Sequence, residues 1–302
     1  MDRNGKPRVY VIVLSWNRRE DTLACLRSVL DSDYPSQRLL LVDNASTDGT
    51  ITAVREQFPG LETLVNERNL GFARGCNAGL RYTLERGADY VLLLNNDTLV
   101  DSAMLSYLAQ AAEEDPLRGP LGPRIFFLEE PTRIWSEGAY CRPLTKAWYG
   151  HHHGLLAKDL PPPAAIRPVD YVTGCAMLLS RQFLDRVGLF DPEFFFYYED
   201  LDLCLRAKKA GFQPVCVPQA QIWHRVSASA GPGSPQQRYH LARSSVRFYR
   251  KHTPPPLLPL ILLWRLGSAT KAVAQYLWWG KREAAWSYLR GLHHGLRDLP
   301  PP

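Results

Sequence analysis

No Cys-x-x-Cys pair occurs among the six cysteines, Cys25, Cys76, Cys141, Cys175, Cys204 and Cys216, several of which fall inside predicted helices or strands. That spacing excludes a zinc ribbon and a disulfide framework, and reads as buried thiols in a reducing compartment. No internal repeat is present, which excludes a solenoid, and the only low-complexity pieces are proline runs that act as punctuation. No nucleic-acid motif interleaves the basic residues, which are scattered along the chain, so the net charge of +6 points to diphosphate ligands or an anionic membrane surface and not to nucleic acid. The apolar stretch LLPLILLW is interrupted by Arg265 and Lys271 and is too short and too charged to be read as a transmembrane span. Near the start, VYVIVLSW is followed at once by Asn17, Arg18 and Arg19 with no small-residue cleavage site; it reads as a first strand behind a short tail, not as a leader.

What is there is an alternation. The 302 residues suffice for one large domain or two closely fused halves. Short apolar runs, VYVIVLS, LLLVD, LETLV and YVLLLN, alternate with helical patterns at about 20–30, 50–58 and 72–86. This predicts an α/β fold with a doubly wound, largely parallel sheet flanked by helices. Ligands of such sheets collect beyond the strand C-termini, where the sequence puts Ser15 to Arg18, Asp43 to Asp48 and Asn95 to Asp97. Further helices are expected at about 102–114, 181–187 and 199–210, with a strand at AMLLS and an irregular, partly stranded loop over 128–168. The reading divides the chain into a nucleotide-sugar half (1–100), an acceptor and catalytic half (101–253) and a helical tail (254–302).

Two acidic segments carry chemistry. YVLLLNNDTLV ends a strand in Asn95, Asn96 and Asp97, a position suited to a divalent cation carrying phosphates, because Mg²⁺ and Mn²⁺ take oxygen ligands and commonly use only one or two protein carboxylates. FFFYYEDLDLCLRAKKAGF seats Glu199 and Asp200 at the start of a predicted helix behind an aromatic run. An acid there is favoured by the helix dipole and can take a proton from a hydroxyl.

Together with VYVIVLSWNRRE and LLLVDNASTDGT, these segments resemble the family 2 inverting glycosyltransferases of GT-A fold, in particular their rhamnosyltransferase-like branch, over about residues 8 to 250. The resemblance implies a catalytic base at Asp200, the second acid of the pair, with Glu199 orienting it or meeting the acceptor. It implies pyrimidine recognition by Asp43, a nucleotide pocket at Ser15, Asn17 and Arg18, and donor contacts from Asn95, Asn96 and the segment carrying Asn69, Gly71, Gly75 and Asn77. Asp97 becomes the metal ligand, although the family's usual DxD stands here as Asn95-Asn96-Asp97, and His224, in an HxxSxS-like element, becomes a second ligand for Mg²⁺ or Mn²⁺. Trp135, Trp148, Phe196 and Tyr197 are expected as an aromatic acceptor platform beside Gly174 and Cys175. Asp48 is assigned to turn and cap, and the His151 to His153 triplet to a loop.

The expected activity is metal-assisted inverting transfer from a UDP or dTDP sugar, with dTDP-L-rhamnose first among donors, to a glycan or lipid-linked acceptor in cell-surface polysaccharide synthesis. The alternatives are a catalytically inactive glycan- or nucleotide-binding scaffold of the same fold and a sugar-nucleotide pyrophosphorylase. SWNRRED offers no long Gly-rich loop for the latter, and Asp43, Asp97 and Asp200 are all present against the former. In the tail, Leu262, Leu266, Ala269, Val273 and Leu277 share one helical face, while Ser268, Lys271 and Gln275 share the other. This suggests a helix pair lying on the inner face of the cell membrane, with packing in a core or a homo-oligomer as the other reading.

Overall fold

The computed structural model describes residues 5–141, 148–161, 165–226 and 233–297. The chain forms two units, one of Met1–Pro192 with Asp200–Val226, the other of Glu193–Glu199 with Ser227–Pro302. The sheet of the first unit contains segments from both sides of the boundary expected at residue 100, and the second begins well before the expected 254. The reason is the pairing of strands from the two expected halves, which makes one hydrogen-bonded sheet.

The first unit alternates β1 (Val9–Ser15), α1 (Arg19–Leu30), β2 (Gln37–Asp43), α2 (Thr50–Gln57), β3 (Glu62–Val65), α3 (Gly71–Glu85) and β4 (Tyr90–Asn95). It continues through β5 (Thr98–Val100), α4 (Met104–Glu114), β6 (Arg118–Phe127), β7 (Ile134–Ser136), β8 (Ala139–Cys141), β9 (Trp148–Gly150) and β10 (Arg167–Pro168). β11 (Ala176–Ser180), α5 (Arg181–Val187), α6 (Glu199–Lys209, whose first residue belongs to the second unit) and β12 (Gln213–His224) complete it. The main sheet has the order β10-β12-β6-β11-β4-β1-β2-β3, with β5 on β12 and β7 on β6. β4, β1, β2 and β3 are mutually parallel, and β11 runs antiparallel to β4.

The apolar runs become central strands because both of their faces are covered: Val9, Ile12, Val13, Leu40, Leu41, Leu92 and Leu93 are almost wholly buried. Gly79 brings α3 close to the sheet, since a Cβ there would meet Val42 and Ile12 at 2.9 and 3.0 Å. All six cysteines are free; five are buried and Cys141 is half-buried.

The second unit comprises α7 (Pro235–His252), α8 (Leu258–Trp278), α9 (Arg282–Leu296) and the aromatic segment Glu193–Glu199. Gly291 and Gly295 let α9 meet the α7 backbone directly; a Cβ at Gly291 would stand 2.3 Å from the Tyr239 carbonyl oxygen. Three members of the aromatic run pack within this unit: Phe194 is fully buried, Phe195 stacks on His240 at 4.8 Å, and Tyr198 lies 5.1 Å from Phe248; the rings of Phe196 and Tyr197, expected in the acceptor platform, lie 4.3 Å apart. Arg243 is buried and donates from Nη1 to the Glu193 carbonyl at 3.4 Å.

α8 also departs from expectation. Its buried side chains are Ile261, Ala269 and Tyr276, while Leu266 and Leu277, expected to share one apolar face with Ala269, are exposed. The helix runs unbroken through Arg265 and Lys271, and Pro255–Trp278 is long and apolar enough by composition to cross a membrane.

Candidate active site at the strand ends

The ends of β1, β2, β4 and β12 and the start of β11 bring the candidate residues of the first unit to one edge of the sheet. Two loops are stitched together at its β1–β2 side. The Asn17 amide donates to Ser46 Oγ at 2.7 Å, and Asn17 Oδ1 accepts from the Thr47 amide at 2.8 Å. Three residues other than glycine adopt left-handed backbone here, Asn17 (φ 59°), Arg18 (φ 66°) and Ala45 (φ 61°). Ser15 is buried against Thr22, and Arg18 turns outward to bond Asp21 beside a cleft of about 400 Å³.

Asp43 is fully buried and its Oδ2 accepts from the Ser46 amide at 2.8 Å, while its Oδ1 accepts from Ser46 Oγ. It therefore shapes the turn; any contact with a base would use the remaining lone pairs. Asp48 caps α2 and the start of α1 as expected. Burial opposes its ionisation, but hydrogen bonds from Thr50 and the Arg19 amide outweigh that and hold its carboxyl below the usual range.

Several residues assigned to donor binding hold the framework of the crevice together. Asn77 uses both ends of its amide on the Phe190 backbone, at 2.8 and 3.0 Å, which leaves little for a ligand. A Cβ at Gly75 would stand 2.8 Å from Asn44 Nδ2, so this glycine serves close packing of α3. Asn96 is buried and donates to Thr22 Oγ1 (2.8 Å) and the Asn17 carbonyl (3.1 Å), joining β4 to the β1 loop. Asn69 caps the Gly71 amide at 2.8 Å, Gly71 has φ 79°, and its carbonyl accepts from Asn44. The Asn95 amide donates to the Cys175 carbonyl, and the Asn95 carbonyl accepts from Thr98.

Asp97 and His224 meet because β5 pairs antiparallel with the end of β12, setting Thr98 opposite His224. Asp97 Oδ1 lies 3.1 Å from His224 Nε2, and both side chains are nearly buried. Burial disfavours a charged imidazole, yet the neighbouring Cys175 sulfur and the Asp97 carboxylate push the His224 pKa up to about 10. Trp135, expected in the acceptor platform, sets its ring edge-on to His224 with centroids 4.8 Å apart and packs against the core, so it braces the imidazole. The side chain of Trp148 and the Ser227 and Ser229 of the HxxSxS-like element lie outside the described residues.

The donor set fits a cation. Asp97 Oδ1 and His224 Nδ1 are buried and, beyond the ion pair between the two side chains and the contact of His224 with Cys175, make no well-aligned hydrogen bond among the described residues, which leaves both able to take a further partner. An oxygen and an imidazole nitrogen suit Mn²⁺ once the cation displaces the proton that His224 holds beside Asp97, while Mg²⁺ is served better by oxygen alone. Glu137, His151 and His152 also bring possible ligand atoms within 4.8 Å of one another. The histidine triplet lies in a loop, as expected, and is tied to a carboxylate, with His152 Nδ1 2.7 Å from Glu137. Arg124 and Arg167 already pair with that buried carboxylate and would repel a dication.

Asp200 is held at the other side of the β4–β11 junction. Its Oδ2 accepts from the Tyr171 hydroxyl at 2.7 Å and the Gly174 amide at 3.0 Å, and its Oδ1 from the Leu201 amide at 2.8 Å. Burial raises its pKa, and these bonds only partly offset that, so the carboxylate is more basic than an exposed aspartate. Tyr171 was not anticipated; nothing in VDYVTG distinguishes it from a core aromatic. A Cβ on Gly174 would touch Phe72 at 3.0 Å, and Cys175 is buried with its thiol pKa raised by desolvation. Glu199 is buried at the first turn of α6. Tyr197 has φ 68° and is bonded to Gln237 within the second unit, and nothing in its contacts there marks a sugar site.

The glycosyltransferase-like family 2 model matches residues 7–242, the whole span that carries this crevice. The chain belongs to that family. This glycosyltransferase is 30% identical over 224 residues, 67% of this chain and 71% of the other, to an N-acetylglucosaminyl-diphospho-decaprenol L-rhamnosyltransferase of Mycobacterium tuberculosis. It is 22% identical over 261 residues to the dTDP-rhamnosyl transferase RfbF of Shigella flexneri, with 83% of each chain covered. Among solved structures it is similar to the mannosyltransferase PcManGT of Pyrobaculum calidifontis in complex with GDP-Man and Mn²⁺, with a TM-score of 0.59, 20% identity, and 97% and 88% of the two chains covered. It is also similar to GalNAc-T7 with UDP, GalNAc and Mn²⁺, with a TM-score of 0.63 and 15% identity; the match covers 82% of the transferase and about half (50%) of that longer chain. These likenesses establish the GT-A fold.

Proposed function

We propose that this glycosyltransferase catalyses inverting transfer of a sugar from a UDP or dTDP donor to a glycan or lipid-linked acceptor on the cytoplasmic face of a membrane, with dTDP-L-rhamnose the leading donor. The observation that carries the reaction type is the buried carboxylate of Asp200, raised in pKa by burial and held by Tyr171 and Gly174 across the β4–β11 junction from Asp97. The rhamnose donor is supported by the two rhamnosyltransferase relatives, and the lipid-linked acceptor by the diphospho-decaprenol in the name of the mycobacterial one.

In this reading Asp200 accepts the proton of the acceptor hydroxyl as its oxygen bonds to the anomeric carbon from the face opposite the leaving group. The bond from that carbon to the phosphate oxygen breaks, and the nucleoside diphosphate departs. One displacement inverts the anomeric centre, so a single proton acceptor suffices. Asp97 and His224 would hold Mn²⁺ or Mg²⁺, which when bound neutralises charge on the diphosphate. The Tyr171 hydroxyl stabilises the ionised form of Asp200, and the Asn17–Thr47 contacts keep the nucleotide side of the crevice in shape.

Calorimetric titration of UDP, dTDP, GDP and ADP, each with and without Mn²⁺, tests the donor class. Metal-enhanced binding confined to UDP and dTDP is expected; binding of GDP alone, or of no nucleotide, would remove the proposal. A second expectation concerns pH. Transfer needs Asp200 ionised, so the rate rises with pH through its elevated pKa. Tyr171→Phe deletes a hydrogen bond to the charged form, which raises that pKa further and moves the acidic limb of the kcat profile to higher pH. An unmoved limb would detach Asp200 from the rate.

A further inference from the structure

α8 turns its arginine inward and its hydrocarbon outward. Arg265 donates from Nη2 to Ser245 Oγ on α7 at 2.8 Å and to the Tyr288 hydroxyl on α9 at 3.3 Å, and its guanidinium lies 5.5 Å from the Tyr249 ring. Ile261, Ala269 and Tyr276 fill the packed side. The opposite side exposes Leu260 (64%), Leu263 (67%), Leu266 (64%) and Trp278 (89%), and Trp286 (72%) at the start of α9 extends it. An apolar stripe of this extent on a water-facing helix marks a surface that is covered in use.

The charge around it identifies the cover. Residues 233–297 contain eleven lysines and arginines against one acid, Glu283. Lys271, Arg282 and Arg290 are exposed on the same two helices, and Lys281 is exposed in the turn between them. A second copy of the chain would set two such basic units face to face, which like charge opposes, whereas an anionic bilayer meets both the hydrocarbon and the cations. Tryptophans at the ends of the stripe suit the headgroup boundary. Pro255–Trp278 has the length to cross a bilayer, but crossing would strip α8 from α7 and α9 and leave Arg265 without its Ser245 and Tyr288 partners in hydrocarbon. We propose that α8 and the start of α9 lie in the plane of an anionic membrane, with Leu260, Leu263, Leu266, Trp278 and Trp286 sunk among the acyl chains. This deepens the membrane-face reading above and rests on it.

The test is sedimentation of the full-length protein with vesicles of phosphatidylcholine, with and without roughly a quarter phosphatidylglycerol. Wild type is expected to pellet with the anionic vesicles, to blue-shift its tryptophan emission, and to be released by high salt or alkaline carbonate. Leu263→Asp with Leu266→Asp, both at exposed positions, should lower vesicle affinity by at least about tenfold while melting temperature and calorimetric dTDP binding stay unchanged. A Lys271→Glu, Lys281→Glu, Arg282→Glu variant should lose the preference for phosphatidylglycerol. Wild type left in the supernatant, binding that survives the two aspartates, or release by detergent alone would each overturn the proposal. Nucleotide binding reports separately: normal dTDP binding with no vesicle binding defeats only the docking surface, and vesicle binding without nucleotide binding defeats only the transferase reading.

Discussion

Asp200→Asn is expected to abolish measurable transfer, a loss of about 10²–10⁴-fold, while nucleotide affinity and the fold are retained. The asparagine keeps the shape of the side chain, and its carbonyl oxygen still accepts from the Tyr171 hydroxyl and the Gly174 amide that hold Asp200 Oδ2. What disappears is the lone pair that takes the acceptor's proton. Removing a charge that burial disfavours offsets the loss of the Leu201 amide bond to Oδ1, which the asparagine NH₂ cannot accept, so the melting temperature should change little. Single-turnover transfer at saturating donor, alongside calorimetry with the nucleoside diphosphate, separates the two effects. Weakened nucleotide binding comparable to the loss in rate would show that Asp200 serves the donor and not the acceptor.

Asp97→Asn should behave differently. It removes the one carboxylate of the pair that meets at 3.1 Å beneath Trp135, leaving His224 Nε2 without its anionic neighbour. Mn²⁺ affinity, followed by the loss of free-ion signal in electron paramagnetic resonance, is expected to fall by at least about 10–100-fold. Metal-dependent nucleotide binding should fall with it, whereas the weak metal-free binding should not change. Equal loss of nucleotide binding in the Asp97 and Asp200 variants would defeat the division of roles between leaving group and acceptor.

The layered architecture was legible because it is written in period and burial: VYVIVLS, LLLVD and YVLLLN are apolar on both faces, as central strands must be, and polar residues stand where those runs stop. Asp97 and Asp200 could be singled out because an acid at a strand end or a helix start has a chemical rationale independent of its neighbours. The close partners could not. Tyr171 reaches Asp200 across 29 positions and Asn77 reaches Phe190 across 113, pairings set by β11 and α3 packing that leave no local pattern. The surroundings of the aromatic run were hidden for a related reason. Ring type announces burial or stacking without saying against what, and Phe194 and Phe195 are taken up within the second unit. On α8 the period separates an apolar from a polar face without saying what either meets, and the hydrogen bonds from Arg265 to Ser245 and Tyr288 that fix the helix against its neighbours are long-range and leave no local pattern.

The left-handed residues Asn17, Arg18 and Ala45 have a consequence for how the crevice receives a ligand. Each such backbone costs on the order of 1–2 kcal/mol for a side-chain-bearing residue. That penalty is met once, during folding, by the bonds from Asn17 to Ser46 and Thr47 and from Asn96 to the Asn17 carbonyl. An incoming nucleotide thus finds two loops whose freedom has already been lost, and its own binding energy is left to act on the sugar and diphosphate. Relaxing the turn with glycine would reverse this: a sturdier protein, with a mouth that must be ordered anew at every encounter.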